Sequence, residues 1–293
     1  MPTGSSVDIR TSSEYKPSRR FSATKLDTWQ KCPLQARFKY RDKIPVARSA
    51  YMAFGIIVHQ VLDERYEDPD LEMALDRFHE LWDDPEKIDA AIDYWPETTD
   101  YAALRDKGEA CVTAWCERQQ LDKGTKVISE HRFLVPFGDF ELTGVVDMIE
   151  ERRGKGGRVL RVVDYKTGNF IPRLSALNLN IQLTTYDYAT RQPEFWMGNG
   201  PDFPGLPQGD ALYHLYKDVP RVPVWFCLPK GKETDSRVRN DLDFLRLYRL
   251  CKEIHHAETL GVYVPKIAED TCPLCDYNRE CGIPIDDYED NLY

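Results

Sequence analysis

Four of the eight cysteines fall into a one-plus-three arrangement: Cys32 near the start, and Cys272, Cys275 and Cys281 within TCPLCDYNREC near the end. A metal centre drawing ligands from both places would tie the two ends together and close the chain around whatever lies between. The other four, Cys111, Cys116, Cys227 and Cys251, sit among Trp, Phe, Leu and Tyr, which for a free thiol predicts plain burial. The polar start MPTGSSVDIRTSSEYKPSRR has no signal-peptide apolar region. No stretch approaches the roughly 18 consecutive apolar residues of a membrane span. The expected location is therefore the cytoplasm, with no membrane partner. Thiols there stay reduced, and the spacing favours a metal site over disulfides. Four thiolates can hold zinc or an iron–sulfur centre, and the spacing alone does not choose.

A formal net charge of −10 argues against a protein that coats nucleic acid indiscriminately. The average conceals a polarity. Between Lys16 and Arg48 ten basic residues face only Asp27 and Asp42, so a basic arm on an acidic body can grip one strand locally. Within it Arg37, Lys39, Tyr40 and Arg41 mix charge and aromatic rings as strand-tracking surfaces do. A solvated charged face is the alternative.

Residues 1–20 read as a disordered lead and 286–293 as a frayed acidic tail. Order is expected from Phe21, with Ser22 capping a short helix before Pro33. A helical part follows over about 50–122, beginning with AYMAFGIIVHQVLDERYE, expected to be buried on most of its circumference. From Thr125 the apolar period becomes two, giving strands KVISEHRFLVPF, DFELTGVVDMIEE and RVLRVVDYKTG, with Gly138 and RRGKGG as turns. LSALNLNIQLTTYDYATRQ reads as one helix, and PEFWMGNGPDFPGLPQGD as a loop whose Phe195, Trp196 and Phe203 either stack on bases or cover a sheet edge. DALYHLYKD and RVPVWFCLPK read as strands, and about 234–256 as a long helix. The expected class is α/β: a single domain over 21–285 with a helical insertion and a C-terminal cysteine loop.

In an antiparallel hairpin turning at RRGKGG, Asp147 and Asp164 fall nearly opposite each other. Lys166 leaves the same strand face as Asp164. Carboxylates among Val145, Val146, Met148, Val162 and Val163 are costly unless paired or bound to a cation. Hard oxygen donors suit Mg²⁺ or Mn²⁺, and a neighbouring lysine can offset charge on a phosphate. For an isolated D-x-K a surface ion pair is the commoner explanation. Gln182 and Tyr186, at i and i+4, share a helix face just after the hairpin. His59 lies on an apolar helix, one turn after Gly55, whose missing side chain would let another backbone approach.

His in an early helix, then Gly144 and Asp147, then Asp164 and Lys166, then Gln182 and Tyr186, resembles the RecB-type branch of the PD-(D/E)XK nucleases. With Cys32 and the C-x-x-C-x-x-x-x-x-C cluster, the chain resembles its iron–sulfur subset, which includes Cas-four and AddB nucleases. The first acidic motif is Gly-Val-Val-Asp rather than Pro-Asp, and Asp164 stands where many members carry Glu; both variants are usual in that branch. The resemblance implies a restriction-endonuclease-like core with a mixed sheet flanked by helices. It also implies that His59, Asp147, Asp164 and the main-chain carbonyl of Tyr165 ligate Mg²⁺ or Mn²⁺, with Lys166 acting on the attacking water. Gln182 and Tyr186 would support the site and the DNA backbone, and Cys32, Cys272, Cys275 and Cys281 would hold a 4Fe–4S cluster.

The implied activity is a metal-dependent DNA exonuclease preferring single-stranded or frayed DNA. No G-x-x-x-x-G-K-[ST] motif is present, so the protein would act alone or with a separate protein partner. The competing class is a cluster-bearing DNA-binding adaptor without significant cleavage. Against it, carboxylates facing phosphate serve no purpose in a pure binder.

Overall fold

The computed structural model describes residues 18–121, 125–154, 157–268, 272–273 and 275–282. Strand β1 (Arg20–Ser22) leads into α1 (Ala23–Lys31), α2 (Pro33–Ala36) and one wide helical turn, Arg37–Arg41. The helical insertion is α3 (Ala50–Glu64), α4 (Leu71–Trp82), α5 (Pro85–Ala91) and α6 (Tyr101–Leu121). Then come β2 (Thr125–Phe137), β3 (Phe140–Gly154) and β4 (Gly157–Lys166), followed by α7 (Leu174–Leu177), α8 (Ile181–Ala189), α9 (Pro193–Met197) and α10 (Gly209–Tyr216). Strands β5 (Arg221–Cys227) and β6 (Lys232–Asp235), α11 (Asp241–Leu260) and α12 (Asn278–Cys281) complete it. The architecture is the expected one, a mixed sheet with helices on both faces. The acidic tail lies outside the described residues, as does most of the lead. Its last residues are ordered: the Ser18 N–H donates to Glu258 Oε2 at 2.6 Å, and β1 starts at Arg20.

The sheet is a fork built on β3. Strand β2 runs antiparallel along one edge of β3 from Phe140 to Glu151, so β1 and β4 must share the other. Strand β1 pairs in parallel with Glu141–Thr143, and β4 pairs antiparallel with Met148–Gly154. Residues Gly144–Asp147 fall between the prongs. Beyond β4 the sheet continues with β5, parallel, and β6, antiparallel.

Each face carries its own core. On one, Phe21, Leu26, Phe133, Val146, Val162 and Tyr186 pack with α1, α8 and α11; on the other, Phe54, Val58, Trp115, Met148, Val163 and Tyr165 pack with α3, α4 and α6. Val146 and Ile149 belong to the same core, so the period of two breaks between them. On β2, Ile128 shares that core with Phe133 and Val135, and the break coincides with Glu130, held at a left-handed φ of 43°.

Several sequence expectations differ from the fold. DALYHLYKD is helix α10 because Leu212, Tyr213 and Tyr216 turn together toward the core, a helical spacing that also satisfies a short alternating pattern. The helix expected over 174–192 is interrupted because the Asn180 side chain caps α8 by accepting from the Leu183 N–H. The long helix begins at Asp241, set by an Asn240–Asp243 capping box, and Thr234 and Asp235, expected to open it, belong to β6. Tyr51, Met52 and Ile56 leave one side of α3 exposed and apolar, against the expected burial. Phe195 and Trp196, in short helix α9, are fully buried and cannot stack on bases; Phe203 lies under Arg20 at 5.7 Å.

A buried ionic cluster joins the insertion to the sheet. Glu150 accepts from Arg118 of α6 at 2.8 Å and Arg161 of β4 at 2.7 Å; Arg161 also binds Glu233 and Asp235 of β6, at 2.8 and 2.6 Å. Arg118 reaches Glu233 as well. Removing Glu150 takes the most buried carboxylate from two buried guanidiniums, which are left to share Glu233 and Asp235. Glu150→Ala is accordingly expected to lower unfolding free energy by about 3–5 kcal/mol, read from urea denaturation; a loss within experimental error would show that the cluster does not hold the insertion in place.

Candidate active site

At the fork Asp147 takes over a ladder contact. Its Oδ2 accepts from the Tyr165 N–H at 2.6 Å, and continuing the Met148–Val163 register sets Asp147 opposite Asp164, as expected from the hairpin. Asp164 is 1% exposed. Lys166 Nζ donates to Asp164 Oδ1 at 2.9 Å and lies 2.7 Å from Oδ2, but only the first contact has hydrogen-bond direction; the buried Oδ2 keeps a lone pair without a donor.

Lys166 Nζ also donates to Gln182 Oε1 at 3.0 Å, and Gln182 Nε2 donates to the Tyr186 hydroxyl at 2.8 Å. The i,i+4 pair thus forms one relay holding the ammonium. Gly144 makes room for it: a Cβ there would stand 3.0 Å from Phe133 Cζ and 3.4 Å from Tyr186 Cε1. The far end of α8 is locked by buried Asp187, which accepts from Arg191 at 2.7 Å, and by Arg239, which donates to Thr184 Oγ1 at 2.9 Å.

His59 arrives from the opposite layer on α3. Its Nδ1 lies 3.1 Å from Glu130 Oε1 and 3.9 Å from Asp147 Oδ1. Gly55 plays no part in a close backbone approach: an added Cβ would meet only Thr167 Oγ1, at 3.6 Å. Glu130 is the site residue that the sequence reading missed. Counting the β2–β3 register puts it across from Asp147, because Ser129 pairs with Met148 and His131 with Val146. An acidic residue at that register in ISEHRF was the available signal. Its left-handed backbone, unusual for a residue with a side chain, costs about 1–3 kcal/mol and turns the carboxylate toward His59.

His59, Glu130 and Asp147 bring one ligand atom each within 4.8 Å of one another. The chemistry of this group, one imidazole and hard carboxylate oxygens with Asp164 beside them, fits a divalent cation. Without a cation the carboxylates crowd one another. Burial, with Asp164 and Glu130 adding repulsion against His59, pushes Asp147 up to about 7. For His59, burial opposes the charged form, but the Glu130 hydrogen bond and the surrounding carboxylates win and raise it to about 9. Burial likewise disfavours charge on Lys166, yet Asp164 and Asp147 outweigh it and raise its pKa, so it remains an ammonium. Burial and the same carboxylates keep Tyr186 a neutral phenol.

The four expected cluster cysteines meet elsewhere, lining one cavity between the chain ends. The Lys266 N–H points at Cys32 Sγ and the Ala268 N–H at Cys272 Sγ, both at 3.4 Å. The ends are also joined by a buried Lys25–Glu258 ion pair at 2.9 Å and by ring contacts Trp29–Tyr263 and Phe38–Tyr277. Cys111, Cys116, Cys227 and Cys251 are buried, as expected. Arg37, Lys39, Tyr40 and Arg41 occupy the wide turn beside the cysteines. Arg37 pairs with Asp42 at 2.9 Å, Arg37 and Arg41 lie over the Tyr263 ring, and Lys39 is exposed. No helix among the described residues is long and apolar enough to cross a membrane.

The family model for the PD-(D/E)XK nuclease superfamily matches residues 20–282, spanning both prongs of the fork and the cysteine closure. The chain belongs to this superfamily. Curated relatives include ATP-dependent helicase/deoxyribonuclease subunits from Bacillus cereus (strain B4264), Bacillus anthracis and Bacillus thuringiensis (strain Al Hakam), each 24% identical over 123 residues, 41% of this chain. The matched stretch covers 10% of each relative. In this member of the superfamily, acidic groups converge at the fork of the sheet.

Ligation must displace the protons that this site stores. Mg²⁺ binding at pH 7.5 is expected to release about one proton, mainly from His59, and affinity should weaken further below pH about 7, where Asp147 also holds one. Calorimetry in buffers of different ionisation enthalpy reads the count. Glu130→Gln should weaken binding and reduce the protons released; an unchanged count would remove Glu130 from the site.

Proposed function

We propose that this chain is a Mg²⁺- or Mn²⁺-dependent DNA exonuclease acting on single-stranded or frayed DNA, stabilised by a 4Fe–4S cluster. The observation that carries the reading is the meeting of Asp147, Asp164 and Lys166 at the fork, within a nuclease superfamily member. Asp147 and Asp164, with His59, Glu130 and the Tyr165 carbonyl, would hold the cation. When bound, it would supply Lewis acidity to the scissile phosphate and lower the pKa of a water. Lys166, fixed by Asp164 and Gln182, orients the attacking water and offsets charge developing on the phosphate. Gln182 and Tyr186 hold that ammonium in place and flank the DNA backbone.

Cys32, Cys272, Cys275 and Cys281 hold the cluster. Burial and the other three thiols raise the pKa of Cys281, and the same neighbours contribute at Cys275, so ligation would relieve crowding among them. The cavity that all four line between the early and late segments of the chain supports one shared metal centre. Lys39, with Arg37, Tyr40 and Arg41 around it, presents a basic edge that DNA can follow. The relatives' naming as part of a helicase/deoxyribonuclease supports a protein partner in DNA processing.

Labelled single strands and duplexes, with Mg²⁺, Mn²⁺ or EDTA, test the reading. Asp164→Ala and Lys166→Ala should each reduce cleavage at least about a hundredfold, while the preparation keeps its brown colour and its iron and sulfide content. Cleavage retained by both variants would refute the assigned site. A colourless wild-type protein containing zinc would refute the cluster alone.

A further inference from the structure

The relay that holds Lys166 has a second side. Gln182 lines a recess of about 460 Å³ together with Phe170 and Pro172 from the loop after β4, Ile181 of α8, Lys31 of α1 and Trp225 of β5. The size is that of a small-molecule site. Lys166 Nζ lies 5.1 Å from the Trp225 ring centroid, so the indole lies beside both the recess and the catalytic ammonium. Phe170 is 72% exposed, only four residues after Lys166 along the chain. An aromatic face left in water beside a phosphate-handling lysine suits a flat apolar ligand carried on a phosphate backbone. Lys31 is held at the recess by Asp27 at 2.8 Å, leaving the lining with little net charge, as an uncharged base requires.

We propose that this recess receives one unpaired nucleobase of the DNA strand, the base adjoining the phosphate at the carboxylates, with Phe170 as its stacking face. A base within a duplex has both faces covered and its edge paired, so it cannot enter without leaving the stack. The recess therefore supplies a preference for single-stranded or frayed DNA. The inference rests on the nuclease reading and deepens it, because the occupant shares Gln182 with the catalytic relay.

The test uses the full chain, a single-stranded oligonucleotide with 2-aminopurine walked through its terminal positions, and the same strand with one abasic site. With Ca²⁺ in place of Mg²⁺, under conditions where no cleavage product forms, 2-aminopurine fluorescence should be quenched at one position by wild type and by Phe170→Tyr but not by Phe170→Ala. With Mg²⁺, Phe170→Ala should lower kcat/KM on single strands by about 5- to 150-fold, the range of one base–aromatic stack. An abasic site at the quenched position should slow wild type similarly and add little to Phe170→Ala. An unchanged melting temperature in both variants separates this effect from misfolding. Cleavage of single strands with no Phe170-dependent quenching, or with Phe170 and abasic effects that multiply independently, overturns the recess and leaves the nuclease reading standing. Phe170-dependent quenching in a protein that cleaves nothing supports the recess and overturns the nuclease reading.

Discussion

The hydrogen bond from the Tyr165 N–H to Asp147 holds the fork in its working form. Strand β3 has one edge paired with β2 and the other divided between β1 and β4, so a backbone N–H at the division needs another acceptor. The Asp147 carboxylate is that acceptor. A strand continued in register would have buried this point between two cores. The interruption instead lets a helix from each layer reach the same place, α3 with His59 and α8 with Gln182 and Tyr186.

Such a meeting point is unstable unless its surroundings hold it. Glu130 sits at a left-handed φ, and Asp147 is pushed toward neutrality by burial and by neighbouring carboxylates. Both are local costs, and both are opposed by rigid surroundings. The buried Glu150–Arg161–Arg118–Glu233 cluster fixes the helical insertion, and so His59, to the sheet. Asp187 with Arg191 and Arg239 fixes α8 on the other side. Charge crowding then becomes cation affinity, because a divalent ion is what a cluster of partly desolvated oxygens lacks.

Much of this was legible along the chain wherever the deciding interaction is local. Ser22 caps α1 where its position before an apolar run places it. The two strands around RRGKGG pair in the register counted from their turn, and Gln182 and Tyr186 hydrogen-bond one turn apart. Legibility ended where local signals were ambiguous or long-range. The alternating segment at α10 satisfies a helix equally well, and packing of Tyr216 on Trp196 at 5.5 Å is a contact no window of the sequence contains. Glu130 escaped notice because its importance comes from β2 pairing with β3 and from a backbone twist that overrides alternation.

By itself, the sequence determined which groups are available and in what order: two opposed aspartates, a lysine two residues on, a Gln–Tyr pair and four cysteines at the chain's extremes. These follow from chemical identity and from periods of 2 and 3.6 residues, which need only near neighbours. Tertiary structure added Glu130 beside His59, which the family resemblance had already placed in the site, and decided that Asp147 and His59 store protons and that an exposed Phe170 borders the lysine's relay. Proton affinity and cavity shape are set by desolvation and by charges from segments far apart in the chain, and those distances exist only after the sheet has forked and both layers have packed against it.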